Sequence, residues 1–274
     1  IVSPDGLVQT NHHCIVDCLQ NFSEPGNDVV RNGFYAATAA AERRCPGLAV
    51  QQVIAITDVT AAIRAATANT TGAAFGAARD AEAARLETAC KGEDETKVCE
   101  IVTLYQGGQY ALYSYRRFDD VRMVFAPEID AAFFGGDPDN FNFPRFALDA
   151  AFIRLYRDGR PAATPVHLGW RSTPLAEGEP TFVVGNPGGT SRQFTTAQMA
   201  FQRDHFLPWR LATLSELRGR ILAYAAQGDE QRRQMTDLLF GVENSFKALT
   251  GRRAALVDSE VQARVAAAEA DLQR

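Results

Sequence analysis

No run of apolar residues reaches the roughly 18 to 20 needed to cross a bilayer, so a membrane-spanning helix is excluded. Positive charge is not in excess. Lys and Arg number 28 against 33 Asp and Glu, for a net charge of −5, and that argues against a nucleic-acid surface, which needs clustered cations. None of the five cysteines, Cys14, Cys18, Cys45, Cys90 and Cys99, forms a CxxC pair, which makes a zinc ribbon or thioredoxin site an unfavoured reading. The start, Ile1-Val2-Ser3-Pro4-Asp5-Gly6, has no initiator Met, no basic segment and no apolar segment of a leader peptide. Ala-, Glu- and Arg-rich sequence runs to Arg274 in a helix-like pattern. Both ends read as cut edges, with any export signal outside the chain.

What is present is ordinary for a globular protein: 46% hydrophobic and 22% charged residues over 274 positions, enough for one large domain or two smaller ones. Residues 1–14 read as a β-hairpin, with the Asp5-Gly6 turn signal before Val8-Gln9-Thr10. Residues 29–44 read as a short helix or an extended arm. Leu48 to Val59 is a strand, and the Ala-rich stretch 60–89 a helix by propensity. Cys90 and Cys99 flank a polar loop, which suits a disulfide and an oxidising compartment; reduced core cysteines are the other reading. The odd count leaves at least one thiol free or paired elsewhere.

From Val98 the residues become aromatic and β-branched. Ile101–Tyr105, Gly107-Gly108 and Tyr110–Tyr113 form a hairpin pattern, and Val121–Phe125 is a further strand. Gly135 to Arg145 is a Gly/Asp/Asn-rich loop. Asp149 opens the apolar strand Ala150-Ala151-Phe152-Ile153, buried on both faces. Phe182-Val183-Val184 is a short strand ending at Gly185-Asn186-Pro187-Gly188-Gly189. Composition shifts near residue 200: Leu211 to Arg274 has helical spacing, broken at Gly228 and Gly241, and reads as a second, all-α region of about three helices.

Three motifs carry chemistry. Thr10-Asn11-His12-His13-Cys14 places a base at the end of a strand. Asp149 sits at the mouth of a buried strand downstream of it, where a carboxylate can take the Nδ1 proton of a histidine and fix its tautomer. The loop Gly135-Gly136-Asp137-Pro138-Asp139-Asn140-Phe141-Asn142-Phe143-Pro144-Arg145 immediately precedes that strand. Together with Asp120-Val121-Arg122-Met123-Val124 and Gly185-Asn186-Pro187-Gly188, these resemble the bacterial S46 family of dipeptidyl peptidases, which show a TNHHC box, a DVRLV strand, a GGDxDNxxWPR loop and a GNPG turn in this order.

The resemblance implies a mainly β fold with α: a partial chymotrypsin-like double β-barrel over residues 1–200, and the start of an inserted α-helical cap domain over 201–274. It implies a serine-type dipeptidyl aminopeptidase that works through a Ser-His-Asp acyl-enzyme on peptides with a free N-terminus. It requires no cofactor, metal, nucleic acid or membrane. It also implies a homodimer when full length and a periplasmic or secreted location. By matching motif positions, His13 is the general base and Asp149 its orienting carboxylate. Asn140, Phe141 and Asn244 are the substrate-binding residues that hold the α-amino group. The family has Trp where Phe141 and Phe143 stand, which weakens any cation–π hold.

No GxSGG-type nucleophile box occurs. Ser191, only 42 positions after Asp149, reads as a turn residue, and the nucleophile is expected beyond this chain. The chain alone is then expected to be inactive, because a base without its nucleophile supplies little acyl transfer. Two other readings compete: an inactive protease-like module that binds peptide N-termini, and a metal site of His12, His13 and Asp17. The second suffers because adjacent rings diverge on a strand. His167 and His205 fit no pattern.

Overall fold

The computed structural model describes residues 1–182 and 194–274. In chain order the elements begin with β1 (Leu7–Thr10), α1 (Val16–Phe22), α2 (Val29–Asn32), β2 (Phe34–Tyr35), β3 (Arg43–Arg44) and β4 (Val50–Asp58). Next come α3 (Thr60–Thr67), α4 (Gly72–Lys91), β5 (Lys97–Leu104), β6 (Gln109–Phe118) and β7 (Asp120–Ala126). Two short helices follow, α5 (Ile129–Ala132) and α6 (Gly136–Asp139), then β8 (Ala151–Arg157) and β9 (Arg160–Pro161). The C-terminal elements are α7 (Thr196–Phe201), α8 (Leu207–Ala225), α9 (Asp229–Val257) and α10 (Ser259–Leu272), with a π-helical stretch, Gln202–Phe206, joining α7 to α8. Val183, Val184, the Gly185–Gly189 turn and Ser191 lie outside the described residues.

The chain divides into two compact units. The first comprises residues 1–10, 35–125 and 152–169. Its larger sheet has six strands on the path β1-β8-β7-β2, with β3 on β7 and β9 on β8. Alternate residues of β7 and β8 point inward: Val121, Met123 and Leu155 are completely buried, as the two-residue strand period requires. The buried Glu42 is held there by Arg154 Nε at 2.9 Å and by the Tyr156 hydroxyl at 2.8 Å. Desolvation, together with the bond to Glu42 and its charge, raises the Tyr156 phenol to about 12.

A second sheet has the order β4-β6-β5, all antiparallel. The β5–β6 hairpin falls where alternation and Gly107-Gly108 place it, and positive φ at Tyr105, Gln106 and Gly107 makes the turn. A disulfide joins Cys90 to Cys99. Cys14 is free and exposed, and neither Cys18 nor Cys45 is free.

Three local expectations are corrected. Residues 1–14 form no hairpin of their own: β1 lies next to β8, and Gly6 makes the close approach, since a Cβ there would sit 2.7 Å from the Leu155 carbonyl oxygen. The segment 60–89 is two helices, parted at residues 68–71 by a turn in which the Thr70 hydroxyl bonds the Thr67 carbonyl. Residues 29–44 hold α2 and two short strands rather than one helix or arm. Sheets and helices are both present, as expected, and among the described residues the strands form two sheets with no closed barrel.

The second unit comprises residues 11–34, 126–151 and 170–274. Helices α8 and α9 lie side by side through Leu214, Ile221 and Val242, with Met235, Leu239 and Phe246 around them. A second cluster gathers Met199, Leu207 and Leu256, and Val261 and Val265 of α10 pack against it. Gly228 precedes α9, as expected. Gly241 does not break the helix, which runs unbroken from Asp229 to Val257. One interior glycine costs only about 1 kcal/mol, and burial of neighbouring Val242 offsets it. Among the described residues no helix is long and apolar enough to cross a membrane.

Candidate active site

All five candidate site residues belong to the second unit. After β1 the chain turns through Asn11 into a single 3₁₀ turn, His12–Cys14, closed by Cys14 N–H donating to the Asn11 carbonyl at 3.2 Å. This turn presents backbone N–H groups in one direction, and an acid side chain accepts from them. His13 N–H donates to Asp149 Oδ1 at 3.0 Å, and His13 Nδ1 meets Asp149 Oδ2 at 2.6 Å. Asn11 Nδ2 completes the hold, donating to the Asp149 carbonyl at 3.1 Å and to Oδ2 at 3.3 Å.

Desolvation works against the ionised Asp149. The backbone and ring bonds from His13, its charge, and a backbone bond from His12 outweigh it and keep the carboxyl below the usual carboxylate range. The anion is therefore the resting form at neutral pH. With Nδ1 directed at the carboxylate, Nε2 is the His13 nitrogen left to exchange a proton with a substrate or nucleophile. The His13 side chain is 56% exposed, so such a group can reach it.

The neighbouring His12 behaves differently. It is 1% exposed. Burial lowers its pKa, opposed by the charge of Asp149 and a bond to the Pro127 carbonyl. The two rings thus do separate jobs, one buried and neutral, one open and paired with a carboxylate. Among the described residues no group of three or more His, Cys, Asp or Glu side chains is placed to hold a metal ion.

His13 and Asp149 line a cavity of about 800 Å³. Asn140 and Asn244 line it as well, and the structure brings them together: Asn140 Nδ2 donates to Asn244 Oδ1 at 3.2 Å. Arg145 Nη1 in turn donates to Asn140 Oδ1 at 2.8 Å. Asn140 is therefore oriented by a cation, and the acceptor best placed for an incoming ammonium is Asn244 Oδ1, through its second lone pair.

Phe141 is not among the cavity's lining residues. Its φ is +68°, and it is 60% exposed. The aromatic wall is made instead by Phe133 and Phe240, edge to face at 4.8 Å between ring centres, with the Arg145 guanidinium 4.7 Å over Phe133. Arg145 stood in the quoted loop motif and could have been singled out from it. Phe133, Phe240 and Asp237 carried no motif signal.

A sequence model of the family described as Peptidase S46 matches residues 1–274. The chain belongs to the Peptidase S46 family. It is 29% identical over 284 aligned residues to dipeptidyl-peptidase 7 of Phocaeicola vulgatus, an alignment covering 95% of this chain and 38% of that protein. It is 32% identical to the Asp/Glu-specific dipeptidyl-peptidase of Flavobacterium psychrophilum, covering 73% of this chain and 30% of that one. Among solved structures, Porphyromonas endodontalis DPP11 in complex with the dipeptide Arg-Asp superposes with a TM-score of 0.82 at 25% identity, over 100% of this chain and 42% of that one. This S46 chain thus spans about three tenths to two fifths of the length of such relatives.

Proposed function

We propose that this S46 chain is part of a serine-type dipeptidyl peptidase that releases dipeptides from peptides with a free N-terminus. The observation that carries the reading is the 2.6 Å contact between His13 Nδ1 and Asp149 Oδ2 at the edge of a cavity large enough for a dipeptide. In this reading His13 is the general base. It takes the hydroxyl proton of a Ser lying outside residues 1–274, and later returns it to the leaving amine. Asp149 holds the Nδ1–H tautomer and stabilises the imidazolium. Asn244, set by Asn140, accepts from the α-ammonium of the substrate. Phe141 would join them only by moving its exposed ring.

On this reading residues 1–200 contribute to a chymotrypsin-like barrel and 201–274 begin the helical cap that limits the cut to two residues. The cysteine usage fits an oxidising compartment, which supports a periplasmic or secreted location; the homodimer proposed for the full-length protein rests on the family resemblance alone. Relatives named for dipeptidyl-peptidase activity, and a DPP11 solved with a dipeptide, support the substrate class. The test is release of dipeptides by the full-length protein from peptides with a free N-terminus and from the same peptides N-acetylated. Equal rates on both would refute amine recognition, and no release from either would refute the peptidase reading.

A further inference from the structure

The cavity's charged groups are mostly matched in pairs. Asp149 has His13, and Asp137 has Lys247 at 2.7 Å. Glu243 is bonded to Arg218, and Arg232 to Asp229 at 3.0 Å. Among the described residues Arg145 has no carboxylate partner: Asn140 and the Phe133 ring hold it, and its Nε is buried without an acceptor, so it is the cavity's unpaired cation. Of the acids, Asp237 remains. It lines the cavity, yet the group beside it is another carboxyl, Asp17, with which it shares a hydrogen bond. Among the described residues it has no cation partner. A second group in the same cavity also lacks a donor: His12 gives its ring N–H to the Pro127 carbonyl, and its Nε2, buried in the wall, has no partner.

We infer that Asp237, backed by Asp17, makes this cavity select peptides whose first residue is Lys or Arg. The inference rests on the dipeptidyl peptidase reading above and names the substrate class of that same site. Asp237 and Asn244 stand seven residues apart on α9, so they share a stripe of the helix and are separated by about 10 Å along its axis. The wall between them is largely apolar, built from Leu239 and Phe240, with Met235 beside Asp237, and Glu243, bonded to Arg218, adjoins Asn244. A peptide whose α-ammonium sits at Asn244 would lay its first side chain along this wall. A Lys or Arg stem is apolar and long enough to cover the span, and its charged head ends at Asp237. Leu covers the wall but stops short of the carboxylate.

The energetics run the same way. Burial raises the Asp237 carboxyl, and the charge of Asp17 and their shared bond push it further. Keeping that acid ionised without a cation is costly, and a bound guanidinium or ammonium removes the penalty.

The experiment uses the full-length protein and a set of peptides whose first residue is Lys, Arg, Leu or Glu. Each is paired with Ala, Leu or Asp as the second residue, so that an unknown preference there does not hide the effect. The expected result is a kcat/KM for Lys- and Arg-first peptides about tenfold above Leu-first ones, the size of one charge-assisted hydrogen bond. Asp237→Asn should bring the Lys-to-Leu ratio close to one. Asp237→Lys should invert the choice toward Glu-first peptides, which a merely structural residue would not do. A wild-type ratio near one, or a Lys advantage that survives Asp237→Asn, overturns the inference. Release without discrimination defeats this inference alone, whereas no release from any peptide defeats the peptidase reading with it.

Discussion

Replacing Asp149 with Asn isolates the claim that this carboxylate sets the tautomer of His13. The two oxygens of Asp149 face two different donors, His13 N–H at 3.0 Å and His13 Nδ1 at 2.6 Å. An amide offers one acceptor and one donor in their place. The backbone N–H can only donate, so the amide oxygen must turn to it. The NH₂ then faces Nδ1 and forces that nitrogen to accept. The ring proton moves to Nε2, where a base needs a lone pair. Loss of the correct tautomer in a Ser-His-Asp enzyme costs about 10⁴ in kcat, equivalent to about 5.5 kcal/mol of activation free energy. Asp149 does not hold the substrate amine in this account, so KM should change little. The assay is steady-state release of a dipeptide from a reporter amide by the full-length protein, wild type and Asp149→Asn. A variant within tenfold of wild type would refute the tautomer argument.

Further outcomes follow from other residues. The Asp149 carboxyl is held below its ordinary value of 3.8, so its contribution to stability is fully present above that pH and is lost as the pH falls through the folded-state value. Acid thermal scans should therefore show a smaller loss of Tm between pH 5 and about pH 2 for Asp149→Asn than for wild type. Asp237 has the opposite sign: its folded value is raised, so its ionisation opposes folding at neutral pH. Asp237→Asn should raise Tm at pH 7, with the gain vanishing in acid below the unfolded carboxylate value of about 4. The Glu42 side chain is 3% exposed and paired with Arg154; Arg154 keeps its second carboxylate, Asp5, so Glu42→Gln weakens one charge-assisted bond and should cost about 1 to 3 kcal/mol in urea denaturation.

The local pattern of residues was enough for elements whose partners are close in sequence. Alternation around Gly107-Gly108 announces the β5–β6 hairpin because both strands and the turn lie within 22 residues. It was not enough for β1, whose partner β8 begins 144 positions after Leu7. Nor could propensity see the turn at residues 68–71, since Ala-rich sequence on both sides favours helix and only Asn69-Thr70-Thr71 mark the break. Gly241 misled in the other direction, because packing between α8 and α9 outweighs its propensity.

At the site, His13 and Asp149 could be named because each stands in a motif tied to a strand end. The direction of the Phe141 ring could not, because a left-handed φ turns it outward and no residue pattern reports that. Arg145 could be seen but not interpreted: its bond to Asn140 depends on how a loop folds back over five residues. Asp237 is one acid among many on a helix, and only three-dimensional packing reveals that its neighbours leave it without a counter-charge.

The central claim is that His13, held by Asp149, activates a serine. Covalent labelling by a serine-directed fluorophosphonate reads that step without any assumption about peptide preference. The full-length wild type should label at a single site, and His13→Ala, with an unchanged circular dichroism spectrum, should label slower by about three orders of magnitude or more. Labelling of His13→Ala at the wild-type rate, or no labelling of the wild type at all, would contradict the account.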